Sequence, residues 1–365
     1  MSKKKRPPKT LRIDEMPCVH PNAAGIDLAS AEVVAAVPHD RDPQPVRVFG
    51  AFTHELHRLV QWLVDCDIDT VAMESTGVYW IPLFEMLEAA GMTVFLVNAR
   101  HYRAVPGRKS DFNDAQWLQM LHAHGLLLAS FRPDDEMVVL RSLLRHRAQL
   151  LEHRSPHILH MQKALKLMNI QLSEVLSDVT GVSGQRILRA IVGGERDPRV
   201  LAQMRDPSCK QTEEQIAAAL TGTWRAEHVF VLQQSLELFD FYVKLLSDCD
   251  QKIEAVLVSM QPRFESNEDT PEPPKLRSKP GSKSKNKPAY NARAHLFRIT
   301  GVDLIEVDGV SESIAQTVIS EVGTDMSKFP SSKHFASWLG LAPKTDKSAG
   351  KVLKSRILNT GSRAA

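Results

Sequence analysis

Four acidic residues stand where an acid is either costly or suggestively placed. Asp27 lies in Gly25-Ile26-Asp27-Leu28, inside an apolar run that reads as a strand. Glu74 closes another apolar run, in Met73-Glu74-Ser75-Thr76-Gly77. Asp111 and Asp114 sit at the expected start of a helix, where their spacing puts them on one face. A charge without a partner in an apolar strand is expensive. If the four converge, each like-charged pair adds ~1–4 kcal/mol of repulsion at contact distance. A divalent cation relieves that repulsion, and carboxylate oxygens suit Mg²⁺ or Mn²⁺. Two such ions about 4 Å apart activate a nucleophile and stabilise the leaving oxygen in phosphodiester cleavage. Taken singly, the acids say less. Asp27 alone reads as a strand-end turn or cap. Asp111 and Asp114 alone read as first-turn acids favoured by the helix dipole. The order of the set carries the signal: first strand, fourth strand, later helix. Arg108 and Lys109, just ahead of Asp111, either contact phosphate or pair with these acids.

The elements that would position these acids follow from periodicity. Ala24–Leu28, Glu32–Val37 and Val46–Phe52 read as three successive strands. Thr53–Cys66 has helical spacing through Leu56, Leu59, Trp62 and Leu63. Thr70–Met73 and Thr93–Val97 are further strands, separated by a helix over Val78–Ala90, and Asp111–Leu127 is helical. Strands in succession, then strands alternating with helices, predict a mixed α/β sheet with helices packed on it. That order fits a ribonuclease H-like fold, and another open doubly wound sheet would read alike.

The middle of the chain reads as helix. Leu140, Leu144, Leu151, Ile158, Leu165 and Met168 keep to one stripe, with a kink expected at Pro156. Leu232, Leu236, Phe239, Val243, Leu246, Ile253, Leu257 and Met260 follow steps of four and three, with Asp250 the polar occupant of the seam. Such a seam fits a coiled coil between chains or a helical hairpin within one. His153, His157 and His160 share a helix face whose spacing would admit zinc. The neighbouring Arg145, Arg147, Arg154 and Lys163 favour a basic face instead, solvated or turned to nucleic acid.

The expected domains are a basic disordered arm (1–21), an α/β domain (22–130), a helical region (131–261), a disordered linker (262–292) and a small, mostly α C-terminal domain (293–365). The linker is acidic and proline-bearing, then alternates lysine with serine, proline and glycine. The turn at Gly309–Val310 followed by a helix from Ser311 resembles a helix-hairpin-helix, suited to seating a phosphate on a helix N-terminus.

Composition sets the class. With 43% hydrophobic and 24% charged residues, the 365-residue chain is an ordinary globular protein. A net charge of +3 permits nucleic-acid binding without demanding it. Four scattered cysteines argue against a zinc ribbon or a disulfide framework and for a reducing compartment. No signal sequence or membrane-spanning run is evident, so a cytoplasmic location is the expectation.

The motifs resemble those of a known family. Gly-Ile-Asp-Leu-Ala (25–29), Glu-Ser-Thr-Gly-Val-Tyr (74–79), Val-Asn-Ala-Arg (97–100) and Lys-Ser-Asp-Phe-Asn-Asp-Ala (109–115) are similar to segments of the Asp-Glu-Asp-Asp transposases of the insertion sequence 110 family. So are Val-Asp-Gly-Val (307–310), Phe-Ala-Ser-Trp-Leu-Gly-Leu-Ala-Pro (335–343) and Ser-Ala-Gly-Lys (348–351). The resemblance implies an N-terminal domain like the Holliday-junction resolvase RuvC, with Asp27, Glu74, Asp111 and Asp114 as metal ligands. It implies a DNA recombinase whose serine, here Ser348, attacks a DNA phosphate. It implies a dimer or tetramer in which one subunit's metal site completes another's serine site, and a structured guide RNA. Read without the family, Ser348 is a residue of a surface loop. Lys344, Lys347 and Lys351 would favour an approaching phosphate there. Relatives continue past this motif, so a truncated copy acting as a non-catalytic nucleic-acid-binding remnant is one alternative. A sugar kinase or chaperone-like ATPase, which also begins Gly-Ile-Asp, is another. The Leu28-Ala29-Ser30 that follows Asp27 lacks the glycine such a phosphate loop wants.

Overall fold

The computed structural model describes residues 16–75, 77–98, 113–132, 134–263, 286–348 and 351–356. The chain divides into two compact units, residues 1–132 and 133–365.

The first unit is built on a five-stranded sheet: β1 (Ala23–Leu28), β2 (Glu32–Ala36), β3 (Val46–Gly50), β4 (Thr70–Glu74) and β5 (Thr93–Val97), in the order β3-β2-β1-β4-β5. The first three form an antiparallel meander, while β1, β4 and β5 run parallel. Parallel neighbours need crossovers, and these are α1 (Thr53–Asp65) and α2 (Trp80–Ala89). The helix α3 (Asp114–Ala123) follows β5. This is the mixed, ribonuclease H-like sheet that the strand order leads one to expect.

Side chains alternate across the sheet and sort into two layers. Ala24, Ile26, Val71 and Met73 pack with Leu56, Leu59, Leu63, Leu83 and Leu87 of α1 and α2. Ala72 and Val97, on the opposite face, pack with Trp117, Leu118 and Leu121 of α3. The N-terminal segment also joins this unit. The amides of Val19 and His20 donate to the carbonyl of Ala123, and the His20 ring lies 4.9 Å from that of His122.

The second unit centres on two long antiparallel helices, α4 (Asp135–Leu167) and a helix over Ala226–Ser259. Between them come four short helices: α5 (Leu172–Val175), α6 (Val182–Val192), α7 (Pro198–Gln203) and α8 (Glu213–Ala219), which makes the second long helix α9. The seam of α9 closes on α4 of the same chain as a helical hairpin. Leu232, Leu236 and Phe239 join Met161, Ala164 and Leu165, while Leu246, Ile253 and Leu257 join Leu140 and Leu150. Val243 departs from the pattern and is exposed. The helix α4 runs unbroken through Pro156.

The basic face expected along α4 is largely consumed by internal partners. Arg147 Nε donates to Asp250 Oδ1 at 2.5 Å, Arg145 Nη2 to Glu321 Oε1 at 2.6 Å, and Arg154 Nη2 to Asn286 Oδ1 at 2.8 Å. The rings of His153 and His157 stack on Tyr242 of α9. Among the described residues no group of three His, Cys, Asp or Glu side chains is placed to hold a metal ion, this histidine face included.

Next come α10 (Ala292–Thr300), a 3₁₀ turn at Leu304–Glu306, α11 (Glu312–Val322), a second 3₁₀ turn at Met326–Lys328 and α12 (Ser332–Trp338). Gly309 has φ +85°, and Ser311 caps α11 by accepting from the Ile314 amide. The C-terminal unit is not wholly helical: β6 (Lys344–Ser348) and β7 (Lys351–Arg356) form an antiparallel hairpin. Among the described residues no helix is long and apolar enough to cross a membrane.

Candidate active site

The site begins with a glycine. A Cβ on Gly25 would lie 2.2 Å from the carbonyl oxygen of Ala115 and 2.2 Å from the amide nitrogen of Gln119, both in α3. Only glycine lets this helix lie backbone-to-backbone on β1. The Gln119 side chain donates to the carbonyl of Ala23, while Ala115 covers Gly25. Going along β1 towards its C-terminal end therefore means going along α3 towards its N-terminal end. At the opposite end, His122 Nε2 lies 2.8 Å from Thr70 Oγ1, at the start of β4.

This antiparallel contact sets where the acids fall. Gly25 pairs with Ala72, and Ile26 with Met73, in the parallel β1–β4 ladder. Asp27 and Glu74 are the next residues along their strands, about 4.8 Å apart in the backbone. Two residues on from Gly25 and Ala72, both belong to the sheet face that α3 covers. Asp114 is the first residue of α3, at that same end. Glu74 is buried, 6% exposed, while Asp27 and Asp114 are half-buried.

Local chemistry fixes both supports. Ser75 donates from its amide and hydroxyl to the Val97 carbonyl, carrying the β4–β5 ladder one residue past Glu74. Asn113 caps α3: its side chain accepts from the Gln116 amide at 2.7 Å, and Gln116 reaches back to the Asn113 amide. The described helix begins at Asp114, with Asn113 in extended backbone. Asp111, Arg108 and Lys109 lie outside the described residues.

The described acids thus share one end of one face, though no three ligand-type groups are gathered there tightly enough to hold a metal as they stand. The donor set is all oxygen, which suits Mg²⁺ or Mn²⁺. In parallel α/β sheets, ligands bind outside the carboxyl ends of the strands, and these acids occupy that edge.

Ser348 lies elsewhere in the chain and in different surroundings from those expected. It ends strand β6, paired in register with Lys351, rather than lying in a loop. Lys344 and Lys347 belong to the same strand, and Lys351 begins β7, exposed to solvent.

Two family models match. One, described as "Transposase" and built on the DEDD transposases of IS110 elements, matches residues 24–170. The other, described as "Transposase IS116/IS110/IS902 family", matches residues 303–365. The chain belongs to the IS110 family of transposases. It is accordingly a DNA-binding enzyme of DNA cleavage and transfer. The first match encloses all four acids of the transposase, and the second encloses Ser348 and the lysines around it. No curated protein sequence matches the chain significantly.

Sequence reasoning missed Gly25 as a packing residue and Asn113 as the helix cap. The Gly-Ile-Asp pattern hinted at the first. The Asn-x-x-Gln spacing of 113–116 is a capping-box signature that would have found the second.

Proposed function

We propose that this transposase cuts and rejoins DNA by transesterification, with Asp27, Glu74, Asp111 and Asp114 as a divalent-metal tetrad and Ser348 as the nucleophile. The observation that supports this reading is the shared end: Asp27, Glu74 and the first residue of α3 lie at the carboxyl end of parallel strands, on the side that α3 covers. When bound, Mg²⁺ or Mn²⁺ would supply charge neutralisation at the scissile phosphate. The chain's own residues do the rest. The acids would hold the metal in place, and one of their carboxylate oxygens accepts the serine proton. Ser348 Oγ attacks phosphorus, an O–P bond to the serine forms, and the deoxyribose oxygen leaves and takes up a proton. A hydroxyl of the partner strand then attacks the phosphoserine ester and releases the serine. Both steps exchange one phosphate ester for another, so no external energy source is needed. Lys344 and Lys351 lower the cost of bringing the phosphate to the serine.

Two further features come from family likeness. The transposase works as a dimer or tetramer, with one subunit's acids serving another's serine. It also selects its DNA with a structured RNA from the element's own end.

The test incubates the full chain with Mg²⁺, element-end DNA and element-derived RNA, then denatures it and looks for a protein–DNA adduct. The expected adduct maps to Ser348 and is absent in Ser348→Ala and in Asp27→Ala. An adduct that forms in excess chelator removes the acids from the mechanism. An adduct on another residue removes the serine.

A further inference from the structure

We infer that the C-terminal hairpin is a phased DNA-backbone clamp, in which one extra residue in β7 turns Lys351, Lys354 and Arg356 onto a single face. The pairs are Lys344↔Arg356, Thr345↔Ser355 and Asp346↔Lys354, then Lys347↔Val352 and Ser348↔Lys351. The register shifts between Asp346 and Lys347, and the shift leaves Leu353 as the residue without a partner across the ladder. A bulge of this kind sets two residues of one strand against one of the other.

The consequence is a change of phase. Without a bulge, Lys351 and Lys354 would lie on opposite faces, because they are three residues apart and strands alternate. Paired residues of an antiparallel ladder share a face. Strand β6 alternates regularly, so positions 344, 346 and 348 share one face, and their partners Arg356, Lys354 and Lys351 share it too. Thr345 and Ser355 belong to the other face, where their hydroxyl oxygens lie 3.4 Å apart. Position 347 falls on that second face with Val352. All six residues of β7 are exposed, so the cations stand in solvent.

The face that holds position 348 carries Lys351, Lys354 and Arg356 from β7 and position 344, a fourth lysine, from β6 against the single acid at position 346, a net positive row that complements the phosphates of a DNA strand. A two-stranded ribbon is also narrow enough to enter a major groove. The inference rests on the serine reading for its purpose but not for its binding, which needs no catalysis.

The test measures equilibrium DNA binding of the full chain carrying Asp27→Ala, without divalent metal, over a range of salt concentrations. Each lost phosphate contact lowers the slope of log K against log salt by about 0.9. Lys351→Gln, Lys354→Gln and Arg356→Gln each lower it by that amount. Deleting Leu353 keeps every other pair and every face, and leaves the slope as it was. If Lys347→Gln costs as much as Lys354→Gln, the basic residues act without phase and the inference falls. It falls equally if the three variants leave DNA binding intact, or if they change the slope for structured RNA and not for DNA. Either failure leaves the adduct result at Ser348 free to stand or fall alone.

Discussion

His122 couples the stability of the first unit to pH. It is 1% exposed, its Nε2 lies 2.8 Å from Thr70 Oγ1, and His20 and Phe95 lie against its ring. Burial pushes its pKa down to about 4, the nearby His20 adds to this, and Asp69 opposes it. The unfolded chain takes up this proton near the ordinary value of 6.5, and the folded chain only near 4. The unfolded state therefore binds more protons between those values, and stability rises with pH across that window. The contribution is complete above about pH 6.5 and is lost as pH falls towards 4, on the order of 3 kcal/mol in all. Urea unfolding at pH 7.5 and 4.5 checks it: His122→Gln should lose less stability between the two than wild type does. Equal losses would show that His122 does not set the slope. The residue was not legible as structural from sequence, because its partners Thr70 and His20 are remote in the chain. The acids were more legible. Glu74 and Asp27 interrupt apolar strands, a local signal, whereas the partners of a polar helix residue are not written nearby.

At the scale of elements, alternation and helical spacing fixed the five strands and the first two helices to within a few residues, since each strand of the sheet buries at least one face. A seam of steps of four and three shows that a helix face is covered but not what covers it. Hence the hairpin of α4 and α9 and an intermolecular coiled coil read alike. The arginines of α4 read as a basic face because their acids are distant: Asp250 lies 103 residues from Arg147, and Glu321 lies 176 from Arg145. The hairpin β6–β7 was hidden by its polar, lysine-rich sequence, which lacks an alternating apolar face. The Arg147–Asp250 pair is a lock between elements. Asp250 also accepts from the Ala289 amide at 3.0 Å, and Arg147 Nη1 donates to the Asn286 carbonyl at 3.1 Å, so both helices hold the segment leading into α10. Removing one member strands a buried charge, which typically costs about 3–5 kcal/mol. Asp250→Ala should lower stability by that much in chemical unfolding. Arg147→Met with Asp250→Leu should cost less than the two single changes together. Additive losses would mean that the pair does not act as a unit.

At the scale of the whole molecule, the acids and the serine belong to different units, Asp27, Glu74 and Asp114 in the first and Ser348 in the second. Division of labour between units permits division between subunits, which is the arrangement proposed for this transposase. It makes a prediction that neither site alone can make. Asp27→Ala keeps its serine and loses an acid; Ser348→Ala keeps its acids and loses the nucleophile. Each alone should give no adduct with element-end DNA. Mixed and allowed to exchange subunits, they should recover adduct, attached only to the Asp27→Ala chain, because only that chain carries a serine and the other subunit supplies the acids. A mass tag on one variant identifies the chain that bears the DNA. If subunits exchange, as shown by mixed oligomers in native mass spectrometry, and the mixture still gives no adduct, each chain's acids serve its own serine and assembly in trans is wrong. After random exchange of equal amounts, half of the dimers are mixed, and each of these holds one intact composite site while the other has lost both its acid and its serine, so recovery at about a quarter of the wild-type yield would fit a dimer.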